Sequence, residues 1–266
     1  MQSVRFIGTN SPLNDIQTAT IQECKAYCES KTVLGVDTET EGFDFTCKKL
    51  IMFQIGDRER QYVIDTREVS IEPLREILES NNIVKVFHNA KFDYKFIKMW
   101  AGISVEKVYD TFLVERVLNC GKQDYGYSLA RCTERYLNQV LDKETRNKFI
   151  GLTGQPYTVD QITYGANDVV YLLDIREKQL ELLRSLELEQ VASLENQVVL
   201  VFSEIEYEGL MIDKDRWTAM AEENVKLARE QEITLDKAVL AHPLLQHYRI
   251  PVQVDMFAPM EEVRHT

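Results

Sequence analysis

Three β-rich runs, VLGVDTE, LIMFQIG and QYVIDT, fall within residues 33–66 with only short polar segments between them. Connections that short suggest a meander, and they commit this part of the chain to one sheet. VRFIG before the meander, and IVKVFHN and ISVEKVYD after it, read as further strands. Helical signals are interleaved with them. Thr20-x-x-Glu23 is a capping-box pattern opening a helix through about Glu29, IEPLREILES is a short amphipathic helix, and Ala90 to Ala101 form another, ended by Gly102. The alternation predicts a mixed sheet with helices packed against it, an α/β fold.

From Thr111 the helical period takes over. Segments 111–119 and 128–137 are expected to be helices, and Thr158-x-x-Gln161 opens a long one carrying ITYGANDVVYLLDIREKQLELL. Near residue 181 the composition shifts: residues 181–213 hold eight acids and one basic residue, Arg184. They read as a long acidic helix through Glu208, stopped by Gly209 and followed by a short LMID strand. A charged helix is expected over roughly 214–240. The tail HPLLQHYRIPVQVDMFAPMEEVRHT has three prolines and weak periodicity, without a core of its own.

The first strand of the meander ends in Asp37-Thr-Glu39-Thr-Glu41, although acids are depleted in strands. Asp37 and Glu39 are two apart, so they share a face, and paired carboxylates repel unless a cation lies between them. Asp93 sits in the first turn of the helix after IVKVFHN, at the edge of an apolar stripe of Phe92, Phe96, Met99 and Trp100. The helix terminus alone would favour an acid there by ~0.3–1 kcal/mol. Lys91, Lys95 and Lys98 lie opposite and read as a solvated face rather than a phosphate-binding stripe. Tyr164 and Asp168 are four apart on one helix face, with Val169, Leu172 and Leu173 beside the acid. Each acid has an ordinary explanation by itself. Together they form an oxygen-ligand set suited to a hard divalent cation such as Mg²⁺.

Net charge is −12, which argues against a broad basic surface coating nucleic acid but is compatible with a metal-containing cleft holding a few nucleotides. No apolar run approaches the ~20 residues needed to span a bilayer, so no membrane association is expected. Five cysteines without a Cys-x-x-Cys pair indicate free thiols and a cytoplasmic location.

With these residues in hand, the chain resembles the DEDD superfamily of 3′–5′ exonucleases over roughly residues 1–185. VDTET matches its first motif, HNAKFD its second and YGANDVVYLL its third, in the Tyr-x-x-x-Asp form; Thr163 stands where the other branch has His. The resemblance implies an RNase H-like mixed sheet flanked by helices, the DnaQ-like exonuclease fold. It also implies two divalent metal ions, Mg or Mn. Asp37 would bridge both, Glu39 and Asp168 would complete the tighter site, Asp93 would hold the second through water, and Tyr164 would orient the attacking water. Thr38, Thr40, Phe43 and Asn89 would contact the substrate, Phe43 as a wedge against terminal bases. A core aromatic after a turn is an equal reading of Phe43.

LENQVVLVFSEIEYEGLMIDKDRW (194–217) resembles the segment joining exonuclease to polymerase in family A DNA polymerases. It implies a proofreading exonuclease acting on a single-stranded or frayed 3′ end of DNA, with a polymerase domain in the full-length chain. Residues 1–185 would then be the exonuclease and 186–266 the truncated start of a polymerase-linking helical region. An RNase D-like exoribonuclease is the alternative in substrate. A non-catalytic module binding single strands or protein is the alternative in class.

Overall fold

Strand β3 (Val33–Thr40) belongs to the meander with β4 (Leu50–Gly56) and β5 (Arg60–Asp65). The computed structural model describes residues 3–9, 16–122, 125–141, 149, 152 and 154–248. Among these, β1 (Ser3–Ile7), β2 (Gln17–Thr18), β6 (Val84–Phe87) and β7 (Val108–Asp110) complete a seven-stranded sheet in the order β2-β1-β5-β4-β3-β6-β7. The meander is antiparallel, whereas β1 runs parallel to β5, and β6 and β7 run parallel to β3. The sheet is therefore mixed, as the alternation predicts. Its helices are α1 (Ile21–Glu29), α2 (Arg75–Leu78), α3 (Ala90–Ala101), α4 (Thr111–Leu118), α5 (Leu129–Leu137), α6 (Val159–Ser185) and α7 (Glu189–Glu208).

The two faces of β3 have different fates. Leu34 and Val36 join one apolar cluster with Cys24 and Cys28 of α1 and Phe96 and Ile97 of α3. Full burial of side chains of this size stabilises by about 1.5–3 kcal/mol each. The odd positions, Gly35, Asp37 and Glu39, belong to the opposite face, which α6 covers. There Met52 and Val63 of the sheet meet Ile162 and Ala166 of the helix. Two glycines bring helix and sheet together. A Cβ on Gly35 would lie 2.5 Å from the Val169 carbonyl oxygen, and one on Gly165 would lie 2.5 Å from Gln54 Nε2.

Both capping boxes form. Thr158 Oγ1 accepts from the Gln161 amide at 3.2 Å, while Gln161 Oε1 accepts from the Thr158 amide at 2.9 Å, and Thr20 and Glu23 do the same for α1. Such a cap contributes ~1 kcal/mol.

Several expectations change. The acidic helix is not continuous from residue 181: α6 ends at Ser185, Glu187 takes a left-handed φ of 57°, and α7 begins at Glu189. The strand expected over ISVEKVYD shrinks to Val108–Asp110. LMID forms no strand; residues 210–213 are irregular and exposed, so no neighbouring strand satisfies their backbone. Lys91, Lys95 and Lys98 are not a solvated face, because α7 supplies acids to them: Lys91 and Lys95 pair with Glu206, and Lys98 with Glu204.

Contacts divide the chain into two units, Met1–Glu208 and Gly209–Thr266. Helix α7 thus packs in the same unit as the sheet, beyond the boundary expected at residue 185. Gly209, with φ 69°, ends it. The second unit contains α8 (Lys214–Ala241), capped by Asp213, and a short 3₁₀ turn over Pro243–Tyr248. No residue of α8 is buried. Residues 249–266 of the expected proline-containing tail lie outside the described residues.

Candidate metal centre

Asp37 and Glu39 project from the end of β3, and Asp168 comes from α6, three residues past Gly165, where the glycine contacts hold the helix against the strands. One carboxylate oxygen from each of Asp37, Glu39 and Asp168 lies within 4.8 Å of the others. Asp37 and Glu39 are half-buried and Asp168 is 3% exposed. An oxygen-only set of three acids fits a hard divalent cation, and these residues would hold one.

Asp93 is not part of that trio. It is buried in the first turn of α3, and Thr38 Oγ1 donates to its Oδ1 at 2.5 Å. Thr38 points from β3 opposite to Asp37 and Glu39, so one strand carries acids on one face and holds the fourth carboxylate with its other face. Burial pushes the Asp93 carboxyl well above its ordinary range, and the Asp37 charge adds to the rise against the Thr38 hydrogen bond. A first-turn acid governed by the helix terminus alone would move the other way.

Asp110 was not singled out from the sequence, yet it builds this corner. It caps α4 by accepting from Phe112 N at 2.9 Å. Its carboxylate also accepts from Asn89 N at 2.8 Å and Ala90 N at 2.9 Å, fixing the start of α3. The signal was available, since Asp followed by Thr directly precedes a predicted helix. Asn89 takes a left-handed conformation, φ 68° and ψ 53°, and its side chain makes no cap to α3. Asn196 of α7 accepts from Asp110 N at 2.6 Å, tying α7 to the same corner.

The remaining expected residues have varied surroundings. Tyr164 is half-buried, one helical turn before Asp168, with Phe149 at 6.2 Å between ring centroids. Thr40 is buried and donates to the Gly42 carbonyl oxygen at 2.7 Å. Phe43 is 75% exposed, touching Phe92 edge-on at 6.4 Å, which removes the core-aromatic reading. His88 lies 2.9 Å from Thr111 Oγ1 through Nδ1, in keeping with a satisfied strand-end residue.

Comparison with known proteins bears on this arrangement. A family model described as 3′–5′ exonuclease matches residues 15–184. DNA polymerase I of Aquifex aeolicus (strain VF5) is 32% identical over 163 residues, 61% of this chain and 26% of that protein. Ribonuclease D of Bartonella henselae is 26% identical over 171 residues, 62% of this chain and 41% of that protein. The chain therefore spans less than half the length of these relatives. The solved structure of Escherichia coli RNase D, an exoribonuclease involved in structured RNA processing, superposes with a TM-score of 0.62 at 23% identity. That match covers 76% of this chain and 52% of the other, and it is a likeness of fold.

Proposed function

This chain belongs to the 3′–5′ exonucleases of the DEDD superfamily, and from that premise we propose that it removes nucleotides from single-stranded 3′ ends, RNA ends first, by metal-dependent phosphodiester hydrolysis. The convergence of Asp37, Glu39 and Asp168 within 4.8 Å carries the proposal. Two bound divalent cations, Mg or Mn, would supply a lowered water pKa and stabilise the departing 3′ oxygen. Asp37, Glu39 and Asp168 would hold that charge in place, with Asp93 as a fourth acid across the strand, anchored by Thr38. The Tyr164 hydroxyl orients the attacking water. Phe43, exposed and touching Phe92 next to Asp93 in sequence, offers a face on which a terminal base stacks, a contact worth ~1–3 kcal/mol and indifferent to sequence. Asn89, at the start of α3, is the expected contact to the nucleotide, whereas Thr38 and Thr40 are buried and act through their hydrogen bonds to Asp93 and the Gly42 carbonyl. All five motif residues are present, which speaks against a non-catalytic binding module.

Ribonuclease D relatives support RNA as the substrate class. A specific observation keeps DNA as the second reading: the 32% identity to a DNA polymerase I, together with the segment 194–217. In that case the second unit would lead into a polymerase domain and the activity would be proofreading. No helix among the described residues is long and apolar enough to cross a membrane, and the cytoplasm is the proposed place of action.

The test is digestion of 5′-labelled single-stranded RNA and DNA with Mg²⁺ or Mn²⁺, beside Asp37→Ala. A 3′-to-5′ ladder favouring RNA, absent in the variant, is expected. A ladder on DNA alone moves the assignment to proofreading, and cleavage surviving in Asp37→Ala overturns the site.

A further inference from the structure

Gln54 lies in the middle of β4 with no exposed surface, and neither its Nε2 nor its Oε1 has a hydrogen-bond partner among the described residues. A buried amide left in that state costs about 1–3 kcal/mol, and an apolar residue of equal length would avoid it. Its surroundings locate the missing partner. The register sets Gln54 directly opposite Asp37, and directly opposite residues share a face with Cβ atoms about 4.5–5.5 Å apart. On its other side β5 presents Val63, which offers no acceptor from its side chain. Above it is Gly165, whose missing Cβ leaves room for the amide against the helix, one residue from Tyr164 and three from Asp168.

We infer that Gln54 is a positioning residue of the metal centre: its amide donates to the Asp37 carboxylate when the cluster is loaded, fixing the orientation in which Asp37 meets the cations. The inference rests on the metal-site reading above. A carboxylate has roughly four lone-pair sites, so Asp37 has room to accept from the Gln54 amide as well as meet the metals. Carboxylates that bind metal are themselves hydrogen-bonded, and losing that outer partner typically lowers metal affinity by about 10–100-fold. Gln54 would thus be an orienting group for Asp37 supplied by the neighbouring strand, and Gly165 the residue that makes space for it.

The experiment uses the full chain and Mn²⁺ alone, with affinity read by calorimetry and the thermal midpoint of the metal-free protein measured in parallel. Gln54→Met, of similar length and without donors, is expected to bind Mn²⁺ about 10–100-fold more weakly than wild type. Its metal-free midpoint should be unchanged or higher, because the orphaned amide is gone. A merely structural role would lower the midpoint and leave the affinity alone. Gln54→Leu gives the same readout should the methionine variant misfold. Folded Gln54 variants that bind Mn²⁺ within twofold of wild type, while Asp37→Ala does not bind, overturn the inference and leave the metal site standing. Wild type failing to bind Mn²⁺ overturns both.

Discussion

Glu204 and Glu206 on α7 and the trio Asp37, Glu39 and Asp168 use the same side-chain chemistry for opposite ends. The α7 acids are brought to cations: Glu206 meets Lys95 at 2.7 Å and also Lys91, and Glu204 meets Lys98 and the Tyr94 hydroxyl. The Lys91 and Lys95 hydrogen bonds hold the Glu206 carboxyl below its ordinary range. For Glu204, burial opposes the shift, yet Lys98 and Tyr94 win. The trio is instead brought to other acids, with the buried Asp93 alongside. Attraction docks a helix in the first case. In the second, packing of β3 against α6 holds like charges together, and the stability given up makes a cation welcome.

Replacing Asp37 tests this contrast most severely. Asp37→Ala should lower cleavage by more than about 100-fold, the scale on which losing one preorganised charge-stabilising group is felt. Its metal-free thermal midpoint should equal or exceed that of wild type, because one cause of the rise at Asp93 is gone. A clear drop in the metal-free midpoint would mean that the acids stabilise one another after all.

Gly35→Ala attacks the packing that enforces the cluster. The new methyl would meet the Val169 backbone at 2.5 Å, which side-chain movement cannot relieve. Overpacking of this kind costs about 1–3 kcal/mol, to be read by urea denaturation, with a fall in cleavage as Asp168 moves off β3. Stability and activity both unchanged would show that α6 adjusts freely.

The two regions should also respond to pH with opposite signs. Asp93 titrates higher folded than its unfolded value of ~3.9, so metal-free protein loses that group's support as pH climbs through the raised value. Glu204 and Glu206 titrate lower folded than their unfolded ~4.3. Their contribution is therefore full above that value and fades as pH falls through the depressed one. Denaturation of Asp93→Asn and Glu206→Gln against wild type across pH 3–8, with metal chelated, separates the two slopes. The smallest effect belongs to Lys95→Met, about 0.2–1 kcal/mol given the half-exposed partner, with Mn²⁺ affinity unchanged.

Local chemistry was the legible part of this molecule. Thr20 with Glu23 and Thr158 with Gln161 mark helix starts by side chains a few residues apart, and the meander follows from short connections. Asp37, Glu39 and Asp168 were visible as acids beside apolar surface, and the structure brings them together. The features not foreseen depend on contacts distant in sequence. Partners for Lys91, Lys95 and Lys98 sit more than 100 residues away on α7, so periodicity alone placed them towards water. The LMID segment has strand-like composition but no strand beside it. Gly35 and Gly165 look like ordinary glycines until helix and strand are laid together, and Gln54 looks like a core-strand amide until its partners are sought.

The hydrogen bond from Thr38 to Asp93 gives β3 one further property. Because acids hang from one face and the threonine reaches across from the other, the placement of Asp37, Glu39 and the Asp93 anchor is set by the alternation of a single strand. Inserting one residue between Val36 and Asp37 would turn the downstream positions over, driving both carboxylates into the apolar layer under α3 while Val36 keeps its place. Length variation among descendants of this chain should therefore be absent from residues 36–39 and tolerated in 46–48, where the chain turns at the surface before β4.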